Sequence, residues 1–323
     1  QQPVRTMPLS VDSPPLYAAV ELGSDSFRLH VASWENGAME IAATLDEPIR
    51  LGAGIGADGC LDGATVRRAL ACLGQFKLVL ALWQPRAVRV VATAALRVAC
   101  NAPAFLPAAE AALGYPVEVI GGEEEGRLVY LGVAGALGES PERRLVLDVG
   151  SGSTEIAVGR GDTVELVQSF GVGALRQGLA FFGGGISPPA FEAALASSRS
   201  RFADAGPFTG RQGWPRAYGA SGTVRALFEL GGAVVPASQP ASAAALHRLR
   251  RTLVEEGGFA RSATLSSQPA RAAQMAGGLA LLLALVDELG IDELVPVQAG
   301  LRLGVIRDLC RRTVGSAPFR ERA

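Results

Sequence analysis

Two stretches of this chain share one grammar. AAVELGSDSFRLHVA, residues 18–32, and LVLDVGSGSTEIAVG, residues 145–159, each pass from an apolar run to an acid. One apolar residue, Gly, Ser, any residue and Ser follow, and then a second strand-like run. Aligning Glu21 with Asp148 aligns both stretches without a gap. Each continues into a turn, Asn36-Gly37 or Arg160-Gly161-Asp162, and a third strand-like run, residues 39–45 or 163–170. A repeat of this size constrains the fold more than any single motif does. It predicts two α/β domains, each opening with a three-stranded meander whose first turn carries an acid-x-Gly-Ser-x-Ser loop.

The rest of the chain fits that plan. Helical spacing marks residues 65–82 and 102–113, and short strands are expected at 87–92 and at PVEVI. The run GGEEEGRLVYLGVAGAL opens a helix with acids, where the helix dipole favours them. A strand, small-residue turn and helix are expected in RAYGASGTVRALFEL, a long helix in PARAAQMAGGLALLLALVDELGI, and a strand and closing helix after it. The expected division is a proline-broken, disordered tail at 1–15, a first domain at 16–135 and a second at 136–302. A closing helix at 303–315 is expected to pack back on the first domain.

With 323 residues, 49% of them hydrophobic, the chain has material for two cores. A net charge of -1, with Lys77 the single lysine, argues against a globally basic nucleic-acid binder. Two histidines, His30 and His247, are too far apart for a histidine metal site and are expected to be structural. Cys60, Cys72, Cys100 and Cys310 form no C-x-x-C pair, so reduced, structural thiols in a cytoplasmic protein are expected. The longest apolar run, residues 277–286, is too short to span a bilayer, and no membrane partner is expected. The first residues lack a signal-peptide core.

Small residues let backbone approach an anion, and turn N–H groups form anion-binding nests. Glu21 and Asp148 each end a buried strand, where a carboxylate is costly unless paired or bound to a cation. Two facing loops of this kind point to a Mg²⁺-assisted phosphoryl site in one cleft between the domains. Two ordinary hairpins with small turn residues are the plainer alternative, and the repetition argues against it.

LDVGSGSTEIAVG is similar to the D-[IV]-G-G-G-S-T-E motif of the exopolyphosphatase and guanosine pentaphosphate phosphatase family. ELGSDSFRLHV resembles its D-[LI]-G-S-N-S-x-x-L opening. VVATAALRVACNAPAFL, VEVIGGEEEGRLVYLGV and GASGTVRAL resemble three further motifs of that family, in family order, over about residues 16–310. The resemblance implies duplicated actin-like, ribonuclease H-like α/β domains and hydrolysis of a terminal phosphoanhydride. It implies polyphosphate or guanosine penta- or tetraphosphate as ligand, Mg²⁺ as cofactor and a bacterial cytoplasmic setting. Nothing in the residues marks an interface, and a homodimer is one assembly compatible with the fold.

By the same resemblance Glu125 matches the base that activates water. Asp148 and Glu155 match positions at the metal and water, with Glu21 as a further metal candidate. Arg97 matches a phosphate-contacting arginine. Gly23, Ser24, Asp25 and Ser26 match the first phosphate loop, and Gly150, Ser151, Gly152 and Ser153 the second. Ser221, Gly222 and Thr223 match a loop near the nucleotide in related kinases, Gly222 being the candidate contact.

The chain departs from the pattern at the site. Glu21 stands for the usual Asp, Asp25 for Asn, and Ser151 for the middle Gly. A carboxylate at position 25 repels phosphate where an amide could donate. RAAQMAGG lacks the Asp and Pro of its counterpart, and VQAGLRLG lacks the acids of D-G-A-L-R-E-G. These departures leave two further readings: a non-catalytic binding module for a phosphorylated nucleotide or polyphosphate, and a kinase-like ATPase. The H-D-type helical extension of longer relatives is missing, so weaker preference for long polymers is expected.

Overall fold

The computed structural model describes residues 14–35, 38–208, 214–231, 239–259 and 267–315. Residues 1–13 of the expected tail and the Asn36-Gly37 turn lie outside the described residues. The chain divides into two compact units, 1–121 with 301–323, and 122–300.

In the first unit β1 (Leu16–Leu22), β2 (Phe27–Glu35) and β3 (Ala38–Glu47) form the meander, and β4 (Ala87–Ala92) and β5 (Val117–Val119) extend it. The sheet order is β3-β2-β1-β4-β5, with β4 parallel to β1 and β5 parallel to β4. In the second unit β6 (Arg143–Val149), β7 (Thr154–Arg160) and β8 (Thr163–Phe170) repeat the meander. There β9 (Trp214–Gly219) and β11 (Ile291–Pro296) take the places of β4 and β5, and β10 (Ala241–Ser242) adds an antiparallel edge. The duplication reaches the irregularities. The register shifts between Val31 and Ala32 in one meander and between Val158 and Gly159 in the other, at equivalent positions of the aligned sequences. This is the duplicated α/β arrangement that the repeat predicts.

Each unit has its own apolar core. In the first, α1 (Gly63–Trp83) buries Thr65, Ala69, Cys72, Leu73, Phe76 and Leu80, one face at helical spacing. Asp62 caps it, accepting from Thr65 N at 2.7 Å, and Gln84 ends it in the left-handed region at φ 45°. Two short helices follow, α2 (Ala94–Val98) and α3 (Ala102–Leu113). In the second unit α4 (Gly122–Leu137), α5 (Ala174–Phe182), α6 (Pro188–Phe202), α7 (Gly222–Gly231), α8 (Ala243–Glu255) and α9 (Pro269–Leu289) surround the sheet.

Helix α9 is 21 residues long and apolar enough to cross a membrane by length and composition, which corrects the expectation of too short a run. Burial decides its role: 83% of its apolar window lies inside the core. It crosses α5 backbone against backbone. A Cβ on Gly277 would sit 2.4 Å from Gly178 N, and one on Gly178 would sit 2.6 Å from the Ala273 carbonyl oxygen. The Gly277-Gly278 pair is therefore a helix-packing feature, needed for close approach.

The expected domain boundary at 135/136 moves to 121/122. Helix α4 packs on β6, β7 and β8, because its apolar face needs the second sheet. The closing helix α10 (Leu301–Gly315) belongs with the first unit, where it packs on β1, β2 and β4.

The cysteines also require a correction. Cys60 and Cys100 form a disulfide with Cα atoms 5.0 Å apart. Sequence spacing could not reveal it, since the loop after β3 and the α2–α3 junction meet only in three dimensions. Asn101 fastens the same junction, its side chain donating to the Leu61 carbonyl and accepting from Leu61 N, both at 2.9 Å. The argument for a reducing compartment from these thiols therefore falls. Burial keeps the two free thiols unreactive, pushing Cys72 up to about 12 and Cys310 to about 11. Reduction, or Cys100→Ser, is expected to cost about 2–4 kcal/mol, because the bridge closes a long loop. Thermal melting with and without reductant checks this; an unchanged melting temperature in the parent protein would count against the bridge.

Candidate active site

The two repeated loops are built alike. Each spans four residues between paired strand ends, Leu22 with Phe27 and Val149 with Thr154. Gly23 N donates to the Ser26 carbonyl at 3.2 Å, and Gly150 N to the Ser153 carbonyl at 2.9 Å. Both loops are braced from outside. In the first unit Arg50 N and Gly52 N donate to the carbonyls of Asp25 and Ser24 at 2.6 and 2.7 Å. In the second, Ala174 N and Leu175 N, at the start of α5, donate to the carbonyls of Gly150 and Ser151 at 2.9 and 3.0 Å. A Cβ on Gly173 would lie 2.4 Å from Ser151 backbone atoms, so glycine is required for this brace. The glycine-packed crossing of α5 on α9 thus fixes the second loop indirectly.

Ser151, the departure from the all-glycine loop, has a partner. Gln274 Nε2 donates to its hydroxyl at 3.0 Å. Gln274 belongs to RAAQMAGG on α9, so the added hydroxyl is held by that helix.

The second unit gathers three carboxylates. Asp148 is the penultimate residue of β6 and sits in register with Glu155 on β7. Glu155 is 2% exposed and Glu125, from the first turn of α4, is 9% exposed. Small residues bring α4 this close. A Cβ on Gly122 would overlap the Ser169 hydroxyl, and one on Gly126 would sit 2.5 Å from Val167 and 3.2 Å from the Glu155 Cβ. Of the three consecutive acids, Glu124 is held by Arg127 in a two-point ion pair at 2.6 and 2.8 Å. Glu125 is the one turned inward.

Burial pushes the Glu155 carboxyl well above the usual range, and the neighbouring charges of Glu125 and then Asp148 add to it. Hydrogen bonds from Ser153 and Ser169, the latter at 2.8 Å, pull it back in part. Strongly shifted buried acids cluster at functional sites, which makes Glu155 a candidate. As the side chains stand, no three His, Cys, Asp or Glu among the described residues form a ready metal cage. The donor chemistry nevertheless fits a hard divalent cation. The oxygens are carboxylate, and a cation would offset the repulsion that the burial of Glu155 leaves uncompensated.

In the first unit Arg97, in the last turn of α2, donates to the Ile120 carbonyl at 3.0 Å, which holds its guanidinium in place. Glu21 lies in other company than its sequence-level assignment. Its Oε2 pairs with Arg302 at 2.5 Å, and its Oε1 lies 3.8 Å from Arg28. A carboxylate neutralised by two guanidiniums makes a poor metal ligand. Asp25, expected to repel phosphate, adds to the negative field around Arg28, which also pairs with Asp46 at 2.8 Å.

Around Gly222, Ser221 caps α7, accepting from Val224 N at 2.9 Å, and Thr223 packs where a Gly278 side chain would stand. Both serve helix docking. His247 pairs with Asp287 on the surface at 2.9 Å, in keeping with a structural role.

Sequence reasoning missed the disulfide, the Ser151–Gln274 pair and Arg302. The last had a signal in the sequence, because Arg302, with Leu301 and Gly304, still matches the family pattern in VQAGLRLG.

Comparisons with known proteins agree with this architecture. Residues 30–313 match the Ppx/GppA phosphatase family. A Ppx/GppA family member of Aquifex aeolicus is 25% identical, with a TM-score of 0.77, over 92% of this chain and 98% of that one. An exopolyphosphatase from Cytophaga hutchinsonii shares the fold, at 21% identity and a TM-score of 0.80 over 94% of this chain and 99% of that one. With the match running from within β2 through the acid-opened helix and the second meander into the closing helix, the chain belongs to the Ppx/GppA phosphatase family.

Proposed function

We propose that this protein is a Mg²⁺-dependent phosphohydrolase that releases the terminal phosphate of inorganic polyphosphate, with guanosine pentaphosphate as a second substrate. The observation that supports it best is the buried pair Glu125 and Glu155 with the half-buried Asp148 beside the second glycine-serine loop. Family membership adds the reaction class, and both structures compared above come from that class of protein by name.

Glu125 is the base: its carboxylate accepts the proton of a water whose oxygen attacks the terminal phosphorus. The bond to the bridging oxygen then breaks, and that oxygen leaves on the shortened chain. Asp148 and Glu155 would hold Mg²⁺, which when bound neutralises charge on the phosphate oxygens. Backbone N–H groups and hydroxyls of residues 150–153 orient those oxygens; within the first unit, residues 23–26 and Arg97 are read as a phosphate-binding group of their own. Positioning and charge neutralisation contribute most, because the phosphoryl transition state asks for little covalent help.

Phosphate release from medium-chain polyphosphate and from guanosine pentaphosphate, with Mg²⁺ and with chelator, tests the reading. Metal-dependent release from either is expected. Tight binding of both without release would favour a non-catalytic binding module instead, which the departures at Glu21, Asp25 and Ser151 keep in view.

A further inference from the structure

We propose that Arg302 is an anion-binding residue of the first loop, aimed there by Glu21 and His30, and that Glu21 serves as its positioning residue in place of holding metal. The proposal rests on the reading that the first loop holds substrate phosphate.

Arg302 is the second residue of α10 and its side chain is 18% exposed. Its Nε lies 3.1 Å from His30 Nδ1, and its terminal nitrogen pairs with Glu21 Oε2. The Leu29 carbonyl oxygen also lies 3.1 Å from His30 Nδ1. That nitrogen cannot both donate to Leu29 and accept from Arg302. The guanidinium always carries its Nε proton, so a protonated Nδ1 would face it hydrogen to hydrogen. A bare Nδ1 that accepts from Arg302 avoids this. Burial, and next the charge of Arg302, hold the imidazole neutral, with its pKa lowered to about 4.

Two acceptors on two edges of a planar fork fix its direction as well as its place. The direction matters because of where Glu21 sits. A Cβ on Gly23, the first loop glycine, would lie 3.1 Å from Glu21 Oε1, so this carboxylate touches the phosphate loop itself. Arg302, on the other oxygen of the same carboxylate, is thus brought beside the loop. A purely structural staple between α10 and the sheet needs neither the histidine acceptor nor a carboxylate that touches the loop. The longer Glu, in place of the family's Asp, supplies reach to Arg302, and the arginine pair takes up its charge.

The test is calorimetric binding of tripolyphosphate in EDTA, which needs neither metal nor turnover. The parent protein is expected to bind. Arg302→Ala is expected to weaken binding about tenfold, and Arg302→Lys to restore little of it, since a point charge cannot keep both anchors and reach phosphate. Glu21→Gln and His30→Leu are expected to weaken it severalfold. Glu21→Gln is also expected to shift the Mg²⁺ concentration for half-maximal activity less than twofold. Unchanged binding in Arg302→Ala overturns the proposal, as does a parent protein that binds no tripolyphosphate without metal. Full recovery of binding and melting temperature in Arg302→Lys would mean a structural staple, and also overturns it. A protein that binds through Arg302 but releases no phosphate would refute the hydrolase reading and leave this one standing.

Discussion

Glu125→Gln is expected to lower phosphate release by about 10²–10⁴-fold, the usual contribution of a positioned general base. The amide keeps the shape of the carboxylate and cannot take the proton of water. The loss should appear without unfolding. Gln in that place also removes one of the two charges that oppose Glu155. Glu124→Gln is the matched control. It breaks only a partly exposed pair with Arg127, and such pairs contribute about 0–1 kcal/mol. Its activity is expected within about twofold of the parent on that ground. Circular dichroism and phosphate release on the three proteins decide the matter. Equal activity in Glu125→Gln and Glu124→Gln would remove Glu125 from the mechanism.

Glu155→Gln is expected to lose activity and gain stability together. Removing a group that acts on developing charge costs on the order of 10²-fold or more. The gain in stability follows from the direction of the Glu155 pKa, which burial, Glu125 and Asp148 raise in the folded protein. The folded protein holds that proton more tightly than the unfolded chain does. The stability this group contributes is therefore full below the ordinary glutamate range and is lost as pH rises through the folded pKa. Glutamine stays neutral throughout. In EDTA, Glu155→Gln is expected to melt above the parent at pH 8, with the difference shrinking toward pH 4. A variant that melts lower at pH 8 would mean that its bonds to Ser153 and Ser169 outweigh its buried charge.

The chain's own letters carried the duplication. The spacing of Glu21, Gly23, Ser24 and Ser26 against Asp148, Gly150, Ser151 and Ser153 returns as two four-residue loops with the same register. Strand periodicity placed 87–92 and 163–170 where the sheets have them, because alternation and turn chemistry act over a few residues. Sequence also singled out Glu125 among three adjacent acids, though by resemblance. The physical reason needs the fold: Gly122 and Gly126 let α4 settle on β7 and β8, which turns one acid inward and leaves Glu124 to Arg127.

What the sequence could not decide were contacts between residues far apart along it. Cys60 meets Cys100 across 40 positions, Ser151 meets Gln274 across 123, and Glu21 meets Arg302 across 281. Each adds to a reading: the thiols pair, the extra hydroxyl is held, and the carboxylate of Glu21 is the partner of an arginine. The apolar run of α9 was ambiguous for the same reason, since length and hydropathy are local while burial is not. The repeat and its loops follow from patterns a few residues long and are written in the chain. The electrostatic state of each acid depends on which distant group the packed core brings beside it, and only the tertiary structure decided that.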